Sequence, residues 1–260
     1  MKLIDSHCHL DFPIFANDRE AVLQQAQQAH VSNIIIPAVV SKTWPTLSAL
    51  CQTPQAVSLH PAFGLHPMFM AQHHPEDLLQ LEQWLALPQT VAVGECGLDF
   101  FVQKDNQTTQ LTYFHEQLDL AVQYDLPVII HSRKSLDLVL KALRQRPSLK
   151  GVVHSFSGSL QQAKQLIDLG FYLGFGGPIT YTRATKLRHL LEQLPLSTIV
   201  LETDAPDQPD ASHHGLRNQP AWLPDIAQVV ATLKGLTFKE VARATTQNSC
   251  DLFAIKNALL

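Results

Sequence analysis

The chain has 260 residues, 45% hydrophobic and 16% charged, with a formal net charge of −4 when histidine is neutral. This is a globular composition with room for a large core, and α/β barrels of about 250 residues commonly fold as one domain. No basic block occurs, which excludes a broad electrostatic grip on nucleic acid but leaves room for a small site handling one phosphate group.

The opening Met1-Lys2-Leu3-Ile4-Asp5 is charged too early, and is too short in apolar length, for a signal peptide. No apolar run approaches the roughly 18 residues of a membrane-spanning helix. Short apolar runs predict strands over 3–9, 33–38, 57–64, 91–97, 127–131, 151–154, 171–174 and 198–203. Several are rich in valine and isoleucine and apolar on both faces, as in a parallel sheet buried on both sides. Helical spacing marks 19–29, where Val22, Ala26 and Ala29 recur, and 108–124, where Leu111, Phe114, Leu118 and Val122 recur. The same spacing predicts helices over 135–143, 161–169, 184–191 and 224–233, with a helical tail over 239–253.

Strands alternating with helices predict a parallel sheet with crossover helices. Eight such units in this length favour a (β/α)8 TIM barrel, with an open doubly wound sheet as the alternative. No linker or low-complexity stretch divides the chain, so 1–260 reads as one domain. The proline-rich stretch 206–224 reads as a long functional loop. Cys8, Cys51, Cys96 and Cys250 form no C-x-x-C pair and suggest no disulfide framework, so a reducing cytoplasm is the expected location.

Polar residues gather at the C-terminal ends of these strands. The first strand ends in His7-Cys8-His9, the fourth carries Glu95, the fifth ends in His131, the sixth in His154, and the eighth runs into Glu202-Thr203-Asp204. In a barrel those ends converge on one face, where active sites are built. Residues i and i+2 of a strand point the same way, so His7 and His9 face inward and Cys8 outward. Buried polar groups need partners, and buried charges need pairing or a metal. His7, His9, Glu95, His131, His154 and Asp204 are enough ligands for two divalent ions, with Glu95 able to bridge them. Imidazole-rich ligation favours Zn, Mn, Fe or Co over Mg. The alternative is histidine–carboxylate hydrogen bonding without metal. Thirteen histidines are present, and His30, His73, His74, His115 and His189 lie away from the strand ends, where they read as ordinary loop or surface residues.

Other residues carry two readings each. Glu202 either orients a ligand histidine or forms a salt bridge in the barrel. His66, in Gly64-Leu65-His66-Pro67, either faces substrate or caps a turn. Arg133 is a phosphate clamp, because guanidinium is a fixed fork of donors, or a surface residue at a helix start. Gly158-Ser159 and Gly176-Gly177 offer backbone amides to an anion or simply shape turns.

The segments DSHCHLD, GLHP, GECGLDF, IIHSR, HSFSGS, GGPIT and LETDAP…GLRNQP, in that order, resemble the TatD-type metal-dependent hydrolases of the amidohydrolase-like group. The resemblance spans essentially the whole chain, and its specificity lies in the order of the segments. It implies a (β/α)8 barrel with a divalent metal centre and hydrolysis of phosphodiester bonds, often in DNA. It further implies one ion on His7, His9, Glu95 and Asp204 and a second on Glu95, His131 and His154. The sequence departs from the family pattern at His214-Gly215, where many relatives have Arg-Gly. Phe100 and Phe101 stand where tyrosine is frequent, and Ser155 stands where cysteine is usual. None of these is an expected ligand; the changed loop bears on the substrate.

The expected chemistry is therefore metal-assisted hydrolysis, with two divalent ions per chain drawn from Zn, Mn, Mg or Co. Asp204 is expected to accept the proton of the attacking water, and His66 and Arg133 to bind a DNA or nucleotide phosphodiester. The alternatives are hydrolysis of a small ester, lactone, amide or phosphoester at the same site, and a barrel that binds metal without chemistry. No membrane association and no obligate protein partner are expected.

Overall fold

The structure is a computed structural model that describes residues 2–102 and 106–256. Residues 1, 103–105 and 257–260 of the expected domain lie outside it. Its contacts fall into two compact units, one of residues 1–36, 50–59 and 173–260, the other of residues 37–49 and 60–172.

The strands are β1 (Leu3–Asp5), β2 (Val31–Pro37), β3 (Ser58–Phe63), β4 (Ala92–Asp99), β5 (Val128–Arg133), β6 (Gly151–Val153), β7 (Phe171–Phe175) and β8 (Ile199–Leu201). They form one sheet whose spatial order is the chain order. The pairings of β1 with β2, β3 with β4, β4 with β5, β5 with β6 and β7 with β8 are parallel. A doubly wound sheet reverses its strand order at a switch point, and no reversal occurs here. The first and last strands also bond to each other just past their ends. Ser6 N–H donates to Leu201 O at 2.9 Å, and Asp204 N–H donates to His7 O at 2.9 Å. The architecture is a (β/α)8 barrel.

The helices are α1 (Arg19–Gln28), α2 (Trp44–Gln52), α3 (Pro75–Leu85), α4 (Gln107–Gln123), α5 (Leu136–Arg144), α6 (Leu160–Asp168), α7 (Thr185–Gln193), α8 (Leu223–Lys234) and α9 (Phe238–Phe253). Helical spacing alone does not mark α2 or α3, although the alternation demands a helix in each of those gaps. Both begin around a proline, which suits a first helical turn but breaks the pattern in sequence. In α3, Leu81 and Leu85 are buried while Leu79 is exposed, so the apolar period is diluted. Trp44 of α2 packs edge-on to Phe63 with ring centroids 6.3 Å apart, and Trp84 of α3 lies 5.1 Å from Phe63. This aromatic wedge, rather than a regular stripe, seats the two helices.

Strand limits also differ from the expected ones. β1 stops at Asp5 and β8 at Leu201, so His7, His9 and Asp204 sit in the connections that follow. Asp204 has φ +57, a left-handed conformation that no strand residue adopts. Conversely, β4 and β5 run two residues beyond the expected ends, to Asp99 and Arg133.

Buried polar side chains on α4 and α9 position the connections. Gln110 and Gln117, two turns apart on α4, share its inner face with Phe114 and Leu118. Gln117 accepts from Leu65 N–H at 2.7 Å and donates to Leu65 O at 3.1 Å. Gln110 accepts from Asp99 N–H at 2.8 Å and donates to Asp99 O at 3.0 Å. On α9, Asn248 donates to Leu196 O at 2.9 Å and Ile199 O at 2.7 Å, and Thr246 donates to Lys2 O at 3.0 Å. The helix thereby anchors the backbone at β1 and β8.

Candidate metal centre

In the first unit, the connections after β1 and β8 bring three candidate ligand atoms together. His7 Nε2 lies 3.2 Å from His9 Nε2 and 3.5 Å from Asp204 Oδ1, and His9 Nε2 lies 3.7 Å from the same oxygen. All three residues are buried. The backbone holds this group: His9 N–H donates to Ala205 O at 2.8 Å, next to the Asp204–His7 bond. Phe12 stacks on the His9 ring at 4.7 Å, and Gln208 Nε2 donates to Asp204 Oδ2.

Beneath lies Asp5, fully buried, which the sequence reading did not single out. Its Oδ1 accepts from Thr203 N–H at 2.9 Å and its Oδ2 from the Thr203 hydroxyl at 2.6 Å. Burial pushes the Asp5 carboxyl up to about 7 despite these bonds. A carboxylate closing an apolar strand was the available signal. Glu202 is also buried, and its N–H donates to Phe175 O at 3.2 Å. The loop beyond is tied down by Asn218, which donates to Thr203 O at 2.8 Å and Asp207 O at 2.7 Å.

In the second unit, β4, β5, β6 and the connection after β3 converge on Glu95. Its Oε1 lies 2.8 Å from His154 Nε2, 3.0 Å from His66 Nε2 and 3.2 Å from His131 Nδ1. His154 Nε2 and His131 Nδ1 are 3.4 Å apart. Glu95 is 1% exposed, so a bare carboxylate here needs these neighbours.

The other faces of these rings are held as well. His131 Nε2 lies 3.0 Å from Asp99 Oδ2, a partner the sequence reading missed. Its signal was spacing: Glu95, Gly97 and Asp99 alternate along one strand and share a face. Burial opposes ionisation of Asp99, but His131 and the amides of Val102 and Phe101 hold its carboxyl at about 2. Burial would likewise depress His131, yet Asp99 and Glu95 hold it above its ordinary value. His66 Nδ1 accepts from Met68 N–H at 3.1 Å and so caps the turn Pro67–Gln72. A neutral His66 therefore carries its proton on Nε2 and donates to Glu95. His73, read as ordinary from sequence, lies with its Nε2 2.9 Å from His66 O and fixes that loop.

Arg133, at the end of β5, is exposed and places its guanidinium 3.9 Å over the Phe101 ring. Ser159 caps α6 in a reciprocal pair with Gln162, which accounts for Gly158-Ser159 by turn chemistry. A side chain at Gly177 would strike the carbonyl of Gln208, so that glycine admits the loop after β8.

Both groups fit a divalent ion. Two donors at about 2.1 Å from one tetrahedral ion lie about 3.4 Å apart. The separations of 3.2, 3.5 and 3.7 Å in the first group bracket that value. Those of 2.8, 3.2 and 3.4 Å among Glu95, His131 and His154 lie close to it. The donor chemistry also agrees: imidazoles and carboxylates, with Asp99 placed against the far nitrogen of His131, as carboxylates commonly are behind a metal-ligating histidine.

The model of the TatD related DNase family matches residues 4–254. The chain belongs to the TatD family of metal-dependent hydrolases. It is 42% identical over 257 residues to the metal-dependent hydrolase YjjV of Escherichia coli K12, covering 98% of each chain. It is 32% identical to YabD of Bacillus subtilis, also described as a metal-dependent hydrolase, over 97% of this chain and 99% of that one. The crystal structure of E. coli YjjV superposes with a TM-score of 0.92 over 97% of this chain and 98% of that one. A TatD family hydrolase of Entamoeba histolytica, 25% identical, superposes with a TM-score of 0.83 over 97% of this chain and 98% of that one. Among the described residues no helix is long and apolar enough to cross a membrane.

Proposed function

We propose that this TatD-family hydrolase cleaves phosphodiester bonds in DNA or a nucleotide, as a single domain over 1–260, with two divalent ions per chain. The observation that carries the reading is Glu95, whose one carboxylate oxygen faces three histidine nitrogens within 2.8–3.2 Å. One ion belongs on His7, His9 and Asp204, and the other on Glu95, His131 and His154. Zn, Mn and Co suit this imidazole-rich set better than Mg. The name of the family model supports phosphodiester cleavage over other hydrolyses.

When bound, such ions lower the pKa of a coordinated water toward neutrality and draw charge from the phosphoryl oxygens. The chain supplies the rest. Asp204 is the proton acceptor; its left-handed backbone and its bond to Gln208 fix the carboxylate against His7 and His9. Glu202 supports these residues from beneath. Asp99 keeps the His131 proton on Nε2 and so leaves Nδ1 as a ligand atom. His66 and Arg133 are the substrate contacts, Arg133 through its fork of donors. The cytoplasm is the proposed location; four cysteines without a disulfide support it.

The test is Asp204→Asn, assayed on labelled single- and double-stranded DNA with Zn, Mn, Co or Mg added. Turnover should fall about 10²–10⁴-fold with the fold intact. Full activity in that variant would remove Asp204 from its role. Selective turnover of a lactone or carboxylic ester, with DNA untouched, would overturn the phosphodiesterase reading.

A further inference from the structure

The first ligand group sits on connections, not on strands. β1 ends at Asp5 and β8 at Leu201, so His9 lies four residues past one strand and Asp204 three past the other. Such segments vary and move more than strands unless they are tied down. Backbone bonds fix them close to the strand ends, at Ser6, His7 and His9. Farther out, the segment Gly215-Leu216-Arg217-Asn218-Gln219-Pro220 supplies no expected ligand, yet two of its side chains reach back to both connections.

Arg217 takes the connection after β1. Its Nη1 donates to Ile14 O at 2.8 Å and to Asp18 Oδ1 at 2.9 Å, and its Nη2 donates to Asp18 Oδ2 at 2.6 Å. The guanidinium also lies 4.6 Å over the ring of Phe15, which is fully buried. From there the link runs inward to a ligand. Phe15 N–H donates to Phe12 O at 3.1 Å, Phe12 N–H donates to His9 O at 3.1 Å, and the Phe12 ring stacks on that of His9. Asn218, the next residue, takes the connection after β8. It donates to Thr203 O, one residue before Asp204, and to Asp207 O. Two adjacent residues thus clasp the segments that carry His9 and Asp204.

Asp18 shows how fully its carboxylate is given to this clasp. It stands at the N-cap of α1, where an aspartate ordinarily accepts from the first amides of its own helix. Its side chain makes no such bond; both oxygens meet Arg217. An exposed ion pair by itself adds little stability. A two-bond fork that also holds a carbonyl and covers an aromatic face fixes a direction, which a lysine cannot reproduce. Its effect therefore falls on geometry more than on stability. The His9–Asp204 separation of 3.7 Å is already the widest of the three in the group, so slack between the connections falls on the ligand pair least able to absorb it.

We propose that Arg217 is a positioning residue for the first ion: with Asp18 and Asn218 it sets the spacing of His9 and Asp204. The inference rests on the two-ion reading above. Among the described residues, Ile14, Phe15, Asp18, Thr203 and Asp207 all lie in the first compact unit with Arg217, whereas Glu95, His131 and His154 lie in the second. One substitution far from any ligand should therefore loosen one ion and spare the other.

The test is competition between the protein and a chromophoric chelator for Zn, which resolves the two ions as two steps. His9→Gln marks the first-group step by removing it. Arg217→Gln should weaken that step about tenfold and leave the other unchanged. Asp18→Asn should weaken the same step, and the double variant should lose less than the two single losses together, as partners in one contact do. Arg146→Gln is the control: it breaks a comparable ion pair, Arg146 Nε to Asp119 Oδ1 at 2.6 Å, and should move neither step. Urea unfolding of each variant reads the stability change separately. An unchanged first step in Arg217→Gln, an equal weakening of both steps, or the same shift in Arg146→Gln would overturn the assignment. If the parent shows no step that His9→Gln removes, the two-ion reading fails and this inference with it. If it shows both steps and Arg217→Gln moves neither, this inference alone fails.

Discussion

Asp99 and His131 form the pair on which the second ligand group depends: Oδ2 of the carboxylate lies 3.0 Å from Nε2 of the ring. The same carboxylate holds the turn that carries Phe101. The orientation of His131 and the turn that carries Phe101 therefore share one support. Replacing Asp99 by Asn removes the charge that fixes the His131 tautomer. Metal affinity should fall about 10–100-fold, the usual effect of losing a carboxylate behind a ligand histidine. Competition with a chromophoric chelator measures it, and an unchanged affinity would show that Asp99 does not orient the ligand.

Gly97 separates Glu95 from Asp99 on β4 and has φ +142. A side chain there would run into the carbonyl oxygen of His131. Gly97→Ala should therefore cost more than about 3 kcal/mol, from backbone strain and displacement of β5 together. Urea unfolding checks this; a loss below about 1 kcal/mol would mean the strands accommodate the methyl group without strain.

Gln117 pairs with both backbone groups of Leu65, the residue before His66, and both residues are buried. Gln117→Ala leaves a buried N–H and a buried C=O without their partner, at about 1–3 kcal/mol each. Unfolding stability should drop by about 2–6 kcal/mol. A change under about 1 kcal/mol would show that the loop does not need the amide.

His73 supplies a pH dependence. Burial holds its pKa below the ordinary value, even though its bond to His66 O acts the other way. The unfolded chain therefore takes up this proton near pH 6.5, before the folded one does. Folding stability must then fall as pH drops through that value. His73→Gln lacks this loss, so the stability gap between parent and variant should narrow from pH 7 to pH 5. A constant or widening gap in chemical denaturation would contradict it.

Much of this was legible in the sequence, and the exceptions have physical causes. His7, His9, Glu95, His131, His154 and Asp204 stood out because each interrupts or follows an apolar run, and they fall into two groups, one in each compact unit. Asp99 escaped notice because β4 was expected to stop at Gly97, before the alternation reached it. Gln110 and Gln117 look like ordinary polar positions on an amphipathic helix, and only the register of α4 against the loops shows that they replace backbone partners. The helices α2 and α3 were hidden by prolines and by an aromatic contact that no helical period encodes. His66 caps its turn with one ring nitrogen, as one of its two readings had it, while the other nitrogen lies 3.0 Å from Glu95 Oε1, a partner that its place in a loop did not signal.

The most direct measurement is metal content by mass spectrometry, on gently purified protein after metal add-back and gel filtration, for the parent chain and Glu95→Gln. The account predicts close to two ions per parent chain and close to one in Glu95→Gln, because the proposed second ion is held on that carboxylate. A parent chain with stoichiometry near zero, or a Glu95→Gln variant that still holds two ions, would contradict it.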